Sequence, residues 1–418
     1  MLKYLVQVTE SLLLTAVLTG MLFGMSWTRW EGKSKRVVGI GCALGWVAAL
    51  LIAVFKSLTK LVDSGLWNLR FVGLYLVGAL LFGLLLVPPL RKRLGDAGEL
   101  VQQGGVALLL IGATGYTAPE PLTFPNQIIL SVQSLVSTDF FFRITGWIAG
   151  LLVMYLIALA THKVLVALGE RSALVAGCAS ALIAGLLLCG LALRALLTRR
   201  MIPQSPLAFN IAVLASNHVV TVSCVLAGIA LVCALVLLVR SGRVREPYDN
   251  PAQHRKIRAK WRSRRRWAVL LIACVALSFA TVTLIKAYDS QEVELSPSEE
   301  CELREDACYI PLTQVDDGHL HRFTYESPDG VGIRFIVIKK PGGSAYGIGL
   351  DACDICGETG YYERDDQVVC KLCDVVMNIS TIGFKGGCNP IVIDYEIHDG
   401  YIIVPYSTLL EHEVIFTR

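Results

Sequence analysis

Asp351-Ala-Cys353-Asp-Ile-Cys356, then Cys370-Lys-Leu-Cys373, then Gly386-Gly387-Cys388-Asn389-Pro390: this stretch decides how the end of the 418-residue chain folds. Two CxxC pairs are separated by thirteen residues, and a fifth cysteine follows after fourteen more. A CxxC turn is short enough to aim both sulfurs at one ion. Two such turns supply four soft ligands in a tetrahedron, which suits zinc or iron–sulfur chemistry. Gly357, Gly360, Gly386 and Gly387 give the backbone the freedom that tight metal knuckles need. The residues therefore point to a metal or redox centre on Cys353, Cys356, Cys370, Cys373 and Cys388 without choosing the metal. Ordinary disulfides are the competing reading.

Working outward, composition separates this stretch from what precedes it. The chain is 54% hydrophobic with a mean hydropathy of +0.57, the values of an integral membrane protein. From Tyr288 onward there are 24 Asp and Glu against 9 Lys and Arg, whereas the first 287 residues hold the remaining 10 acids and 29 bases. An apolar, basic first part and an acidic tail imply two domains in two environments. The expectation is an α-helical polytopic membrane domain over 1–287, then a small β-rich extracytoplasmic domain over 288–418 with a cysteine knuckle. That tail is long enough to bury its own core.

Apolar runs able to cross about 30 Å of hydrocarbon recur at 4–28, 37–57, 67–90, 101–118, 144–168, 174–198, 209–240 and 267–287. They predict about eight transmembrane helices. The first reads as a retained helix, because it is longer than a signal-peptide core, carries Glu10 and lacks a small-x-small cleavage site. Between Arg240 and Arg266 eleven Lys and Arg face only Glu246 and Asp249, so this loop is expected in the cytoplasm. Arg91-Lys92-Arg93 and the loop with Arg29, Lys33, Lys35 and Arg36 fall on the same side; Arg194, Arg199 and Arg200 fall on the other. One more crossing puts the acidic tail outside a bacterial cytoplasmic membrane. A basic run beside a span sets topology, so nucleic-acid binding is not expected.

Ionisable groups inside a membrane are costly and are functional candidates by default. Glu10, in Val8-Thr9-Glu10-Ser11-Leu12, is the sharpest; it could carry protons, touch a quinone headgroup or bind a cation, or simply bond to a neighbouring helix. His162, Asn210, Asn217 and His218 follow, and two histidines at one depth could hold a haem iron. Cys42, Cys178, Cys189, Cys224, Cys233 and Cys274 read as small core residues. Gly39, Gly41 and Gly45 read as close helix packing.

After Lys286, short β-type runs at 320–325, 331–338, 391–397 and 401–404 are punctuated by Pro328-Asp329-Gly330 and His398-Asp399-Gly400, both turn signals. Ser407 is expected to cap a short helix over 408–413. Cys301 and Cys308 are expected to form a disulfide in an oxidising compartment. His319 and His321 alternate, so on a strand both would face one way and could serve as metal ligands or an electron-donor site, or be ordinary polar-face residues.

Over about 300–410 the chain resembles the FtrD-like membrane iron–sulfur proteins. The likeness rests on Asp351-Ala-Cys353-Asp-Ile-Cys356-Gly, Gly360-Tyr361-Tyr362, Val369-Cys370-Lys-Leu-Cys373, Met377-Asn378 and Thr381-Ile-Gly-Phe384-Lys-Gly-Gly-Cys388-Asn389-Pro390. Asp317-Gly-His-Leu-His321-Arg-Phe and Ile333-Arg-Phe-Ile-Val-Ile-Lys339 belong to it as well. The resemblance implies an iron–sulfur component of a bacterial iron uptake system, working with an iron permease and a periplasmic iron- or copper-binding protein. It also implies that the cluster ligands come from the five cysteines, without saying which four bind.

Three functions follow. The first is an electron-transfer component rather than a classical enzyme. The second is a membrane-anchored zinc-ribbon binding module, since CxxC-x13-CxxC is close to a zinc pattern. The third is a thiol–disulfide redox protein, although neither CxxC opens a helix after a strand in a thioredoxin pattern. No phosphate-binding glycine loop or nucleophile–base motif occurs.

Overall fold

A computed structural model of the chain describes residues 1–30, 34–59, 62–130, 138–203, 205–242, 246–289, 294–304, 306–364, 367–373, 375–385 and 388–417. Lys33, residues 243–245 of the basic stretch, and Gly386 and Gly387 lie outside the described residues. Two compact units are present, one built from Met1–Ile128 and Thr138–Ser290, the other taking in Gln291–Arg418.

The first unit is helical: α1 (Leu2–Arg29), α2 (Ser34–Leu58), α3 (Ser64–Leu84), α4 (Pro88–Thr117), α5 (Pro119–Leu130), α6 (Thr138–Leu168), α7 (Glu170–Thr198), α8 (Pro206–Asn217), α9 (Val219–Gly242) and α10 (Pro251–Ala280). The last runs on through a π-helical turn, Thr281–Ile285, into α11 (Lys286–Asp289). Among the described residues seven helices are long and apolar enough to cross a membrane, one fewer than the eight expected. The difference is the run at 101–118. It forms the second half of α4, but Gln102 and Gln103, both buried, and Gly104 and Gly105 keep it below the apolarity of the others. It packs antiparallel to α3 at backbone distance. A Cβ on Gly78 would stand 2.6 Å from the Gly105 carbonyl oxygen, and one on Gly112 would stand 2.7 Å from that of Phe71, the close approach that small residues permit.

Gly41 and Gly45 make the same kind of contact from α2, against Ala107 and Thr114, whereas Gly39 faces open space. Residues four apart share a helix face and residues two apart do not, so only part of the expected glycine face is a packing face. α1 is the central helix. Val8, Val17, Leu18, Met21, Leu22 and Met25 are wholly buried, and α1 packs on α6, α7 and α9. Its neighbour α6 runs parallel to it, with Val8 beside Gly150 and Gly24 beside Leu165.

Two expectations change here. The run 209–240 is not one helix, because His218 leaves helical geometry (φ −112°, ψ 17°) and divides α8 from α9. The basic stretch before Arg266 is mostly helix rather than loop. Asn250 caps α10 by accepting from the Gln253 amide at 2.8 Å, and Pro251 occupies the first position, where its missing N–H costs nothing. Arg255 to Arg266 therefore form the leading turns of the helix that becomes apolar at Trp267.

The second unit is a three-layer β structure. Sheet one has the order β1 (Glu302–Leu303), β2 (Ala307–Pro311), β10 (Tyr401–Pro405), β9 (Glu396–His398). The second has β3 (His321–Glu326), β4 (Gly332–Lys339), β5 (Tyr346–Leu350), and the third has β6 (Tyr361–Arg364), β7 (Gln367–Cys370), β8 (Val376–Met377). Strand β4 serves two cores because its side chains alternate. Ile333, Phe335 and Val337 pack with Phe323, Ile348, Ile310 and Ile402. Ile336 and Ile338 point the other way, to Tyr361, Val368, Met377, Cys353 and Cys370. The cysteine cluster thus grows on the far face of the central sheet.

Both turn signals fall where the strands reverse, with Gly330 at φ +79° and Asp399 and Gly400 at φ +49° and +81°. The run 391–397 is a strand only at its end; Ile391 instead bonds to Leu350 and Ala352 across the end of β5. The terminal helix is α12 (Tyr406–Leu410), with Pro405 rather than Ser407 at its N-cap, because proline's fixed φ of −63° starts the helix two residues earlier. Cys301 and Cys308 form a disulfide across β1 and β2.

Candidate metal centre

The first knuckle begins where β5 ends. Asp351 and Ala352 are wholly buried, and Cys353 and Gly357 exchange backbone hydrogen bonds of 3.1 and 2.9 Å. The loop can close this tightly because Gly357 takes φ +67°. Inside it the Cys356 amide donates to Cys353 Sγ at 3.1 Å, which fixes the position of the sulfur. The second knuckle starts on β7, where Cys370 lies opposite Tyr361. Its amide donates to the Val375 carbonyl at 3.0 Å, and the Lys371 amide donates to the Gly360 carbonyl, also at 3.0 Å. Cys388 arrives on a separate loop, with its Sγ 3.7 Å from that of Cys373.

All five sulfurs converge, as two overlapping groups. Those of Cys353, Cys356 and Cys370 lie within 4.8 Å of one another, and so do those of Cys356, Cys373 and Cys388. Cys356 belongs to both. A metal–sulfur bond of about 2.3 Å implies tetrahedral edges of about 3.8 Å, so each trio is close to the scale of a thiolate-bound centre. Cys353 and Cys370 are almost fully buried, at 3% and 1% exposed. Burial, with the neighbouring thiols behind it, pushes Cys356 and Cys370 up and Cys388 up to about 12. Burial also raises Cys373, but the Val375 amide and the adjacent thiols hold it below the ordinary thiol value. Thiols this crowded can all ionise only if a cation compensates them. The donor set therefore fits a soft metal centre.

A buried ion-pair network underlies the site, and residue spacing gave no sign of it. Asp351 Oδ2 accepts from Arg322 Nε at 2.8 Å and from Arg334 Nε at 3.3 Å, and Oδ1 accepts from the Tyr361 amide at 2.8 Å. Arg322 also donates to the Tyr361 carbonyl and to Ser296. The Tyr361 hydroxyl donates to the Cys388 carbonyl at 2.6 Å. One network thus connects the residue before the first knuckle, the strand facing the second, and the loop bearing the fifth cysteine. The available signal was Asp351, an acid at the end of an apolar strand, and Arg322 between Leu320–His321 and Phe323.

The other candidates lie elsewhere. His319 sits in the bend before β3 with Gly318 at φ +84°, so the two histidines do not alternate along a strand as expected. His319 Nδ1 is 2.8 Å from Glu363 Oε1; His321 uses Nδ1 on Glu299 Oε1 and Nε2 on Asp317 Oδ1, each at 2.8 Å. Neither joins the cysteine groups. Glu10 Oε1 accepts from Lys286 Nζ at 2.6 Å. His162 meets the rings of Trp27 and Phe23 edge-on, at 5.3 and 6.4 Å, and lines an apolar cavity of about 450 Å³ between α1, α2 and α6. His218 occupies the α8–α9 break. Gly177 touches Met25, one helical turn from the level of His162, while Gly190 touches Ala215 near His218. His162 faces α1 across the apolar cavity, whereas His218 is exposed at the end of α8, which packs mainly on α7. Asn210 and Asn217 are exposed on α8. Cys274 is buried, Cys42, Cys178, Cys224 and Cys233 are half-buried, and Cys189 is exposed.

Residues 315–416 match the family model described as "Membrane iron-sulfur containing protein FtrD-like". The matched segment holds all five clustered cysteines, His319, His321 and, of the Asp351 network, Asp351, Arg322, Arg334 and Tyr361 but not Ser296; it excludes Glu10, His162 and His218. No curated protein and no solved structure matches the chain. The chain thus joins helices long and apolar enough to cross a membrane to a C-terminal unit whose cysteine groups could hold a metal ion, in a segment similar to an iron–sulfur family.

Proposed function

We propose that this chain is a membrane-bound iron–sulfur redox component of a bacterial iron uptake system, passing electrons between the membrane and iron or a periplasmic metalloprotein. The observation that carries the reading is the convergence of five cysteine sulfurs, one shared between two trios, inside a segment matching a family named for iron–sulfur. A zinc ribbon and a cysteine-ligated iron–sulfur cluster both use four thiolates, so the likeness to an iron–sulfur family, and not the fifth cysteine, favours the cluster over the zinc-ribbon alternative. An iron–sulfur cluster held by these residues supplies one-electron exchange. The chain's own part is to present thiolates, to donate the Cys356 amide to sulfur, and to keep water from Cys353 and Cys370; such hydrogen bonds and burial tune a potential.

In this reading residues 1–287 anchor the protein in the cytoplasmic membrane and 288–418 work outside the cytoplasm. The basic leading turns of α10 support that sidedness, as does the Cys301–Cys308 disulfide, a bond that persists in oxidising compartments. The acidic tail would attract Fe²⁺ or a basic partner, and an iron permease and a periplasmic iron- or copper-binding protein are the partners proposed. Metal analysis with electron paramagnetic resonance on anaerobically purified protein tests the reading. Iron and sulfide with a signal that changes on reduction are expected; one zinc per chain and no signal after reduction would refute it.

A further inference from the structure

The end of α9 and the leading turns of α10 enclose a cavity of about 600 Å³ that the metal centre does not use. His254, Arg258, Trp261 and Arg265 line it from one face of α10, spaced by three or four residues, and Arg262 stands beside them. Ser241 and the segment from Glu246 to Tyr248 form the opposite wall. That wall is fixed in place. The Tyr248 ring stacks on His254 at 4.4 Å and 9°, Trp261 Nε1 donates to Glu246 Oε1 at 2.7 Å, and Arg265 Nη2 donates to the Ser241 carbonyl at 3.4 Å.

The charge balance of this cavity is one-sided. Glu246 is the sole carboxylate among its described lining residues, and it is already engaged by Trp261 and by Lys260 Nζ at 3.7 Å. Arg258 and Arg262 have neither an ion-pair nor a hydrogen-bond partner among the described residues. Two free guanidiniums and a third held only at its edge form a forked donor set suited to a phosphate group.

Depth identifies the source of that phosphate. Helix α10 turns apolar at Trp267. At 1.5 Å per residue Arg265, Arg262 and Arg258 stand about 3, 8 and 14 Å beyond that point. The polar headgroup zone of a bilayer is about 5–8 Å deep on each side, so Arg265 and Arg262 lie among headgroups, beside the kind of aromatic residue that settles at this level. We propose that this cavity binds the headgroup phosphate of an anionic phospholipid, fixing the α9–α10 end of the helical unit to the membrane surface.

Native mass spectrometry of the full chain, with phosphatidylglycerol and phosphatidylcholine in competition, tests this. The expected result is retention of phosphatidylglycerol by about tenfold or more over phosphatidylcholine. The variant R258Q/R262Q/R265Q should lose that preference, while R255Q/K256Q/R266Q, which removes the same charge from outside the cavity, should keep it. Should the first variant fail to fold, Arg262→Gln alone should still lower the preference severalfold. Equal retention of both lipids, or equal loss in the two triple variants, overturns the proposal. Displacement of the lipid by soluble glycerol phosphate at millimolar concentration overturns it in favour of a free phosphate ligand.

Discussion

Arg322 Nε donates to Asp351 Oδ2 across 2.8 Å, with the two side chains 2% and 0% exposed. A charge pair this deep stabilises little by itself, but removing one partner strands the other, at a cost of about 3–5 kcal/mol. The pair is also where the Cys353 knuckle is anchored. Asp351→Asn is therefore expected to lower the melting temperature of the second unit and to reduce bound metal at the same time, as read by scanning calorimetry and metal analysis on one preparation. If it melts with the wild type and binds metal in full, the network does not brace the site.

The shared sulfur gives an ordering of cysteine variants. Cys356 takes part in both trios, so Cys356→Ser should reduce bound metal by tenfold or more, a loss of about 1.4 kcal/mol or greater. Cys388→Ser removes one member of the more exposed trio and should leave a partly loaded, altered centre, seen as a shifted spectrum with a smaller loss of metal. Equal losses across all five positions would contradict the overlap.

Much of this architecture was legible in the residues, and the exceptions have physical causes. Composition gave β3, β4 and β10 to within a residue at each end, since each is a run rich in Ile, Val, Phe or Tyr set off by turn signals. It missed β5, where Gly347 and Gly349 replace outward side chains because Ile382 and Pro390 press on that face. Hydropathy found the helical runs but did not divide 209–240 at His218, because the polar step Ser216-Asn217-His218 is too short to interrupt an averaged apolar run. The five cysteines announced the centre through local spacing. The Asp351–Arg322 pair joins residues 29 apart in sequence on different strands, and no local pattern encodes that.

His321 predicts a pH dependence. Burial works against its charge, but Asp317 and Glu299, bonded to its two nitrogens, outweigh that and hold its pKa above the ordinary 6.5. A group raised on folding contributes stability that is complete below its unfolded value and is lost as pH climbs through the folded one. Asp317 moves the opposite way: burial raises it, yet its bonds to His321 and the His319 amide leave it below 3.8, so its contribution fades only in stronger acid. The C-terminal unit should be most stable between about pH 4 and 6.5 with respect to this cluster and weaken above that window. His321→Gln should flatten the alkaline side of a melting-temperature profile. An unchanged slope would show that the cluster does not titrate with folding.

Glu10 and Lys286 connect the first helix to the turn that follows the π-helical segment, at 2.6 Å. The pair is partly exposed, with Glu10 at 23% and Lys286 at 50%, so its direct worth is about 0.5–1 kcal/mol. Its geometry still decides between two roles for Glu10. If the carboxylate serves to hold α11 against α1, then Glu10→Gln and Lys286→Gln should impair iron uptake alike with the metal centre intact, and the charge-exchanged double variant E10K/K286E should recover it. A carboxylate that itself carries protons or a cation cannot be replaced by lysine, so the exchange would then fail while Lys286→Gln stayed active. The expected result is recovery, because the carboxylate is already committed to an ammonium partner and because a π-helical turn directly before Lys286 sets the rotation that brings the two together. Uptake of radiolabelled iron by cells carrying the four forms, normalised to the amount of metal centre, distinguishes the outcomes.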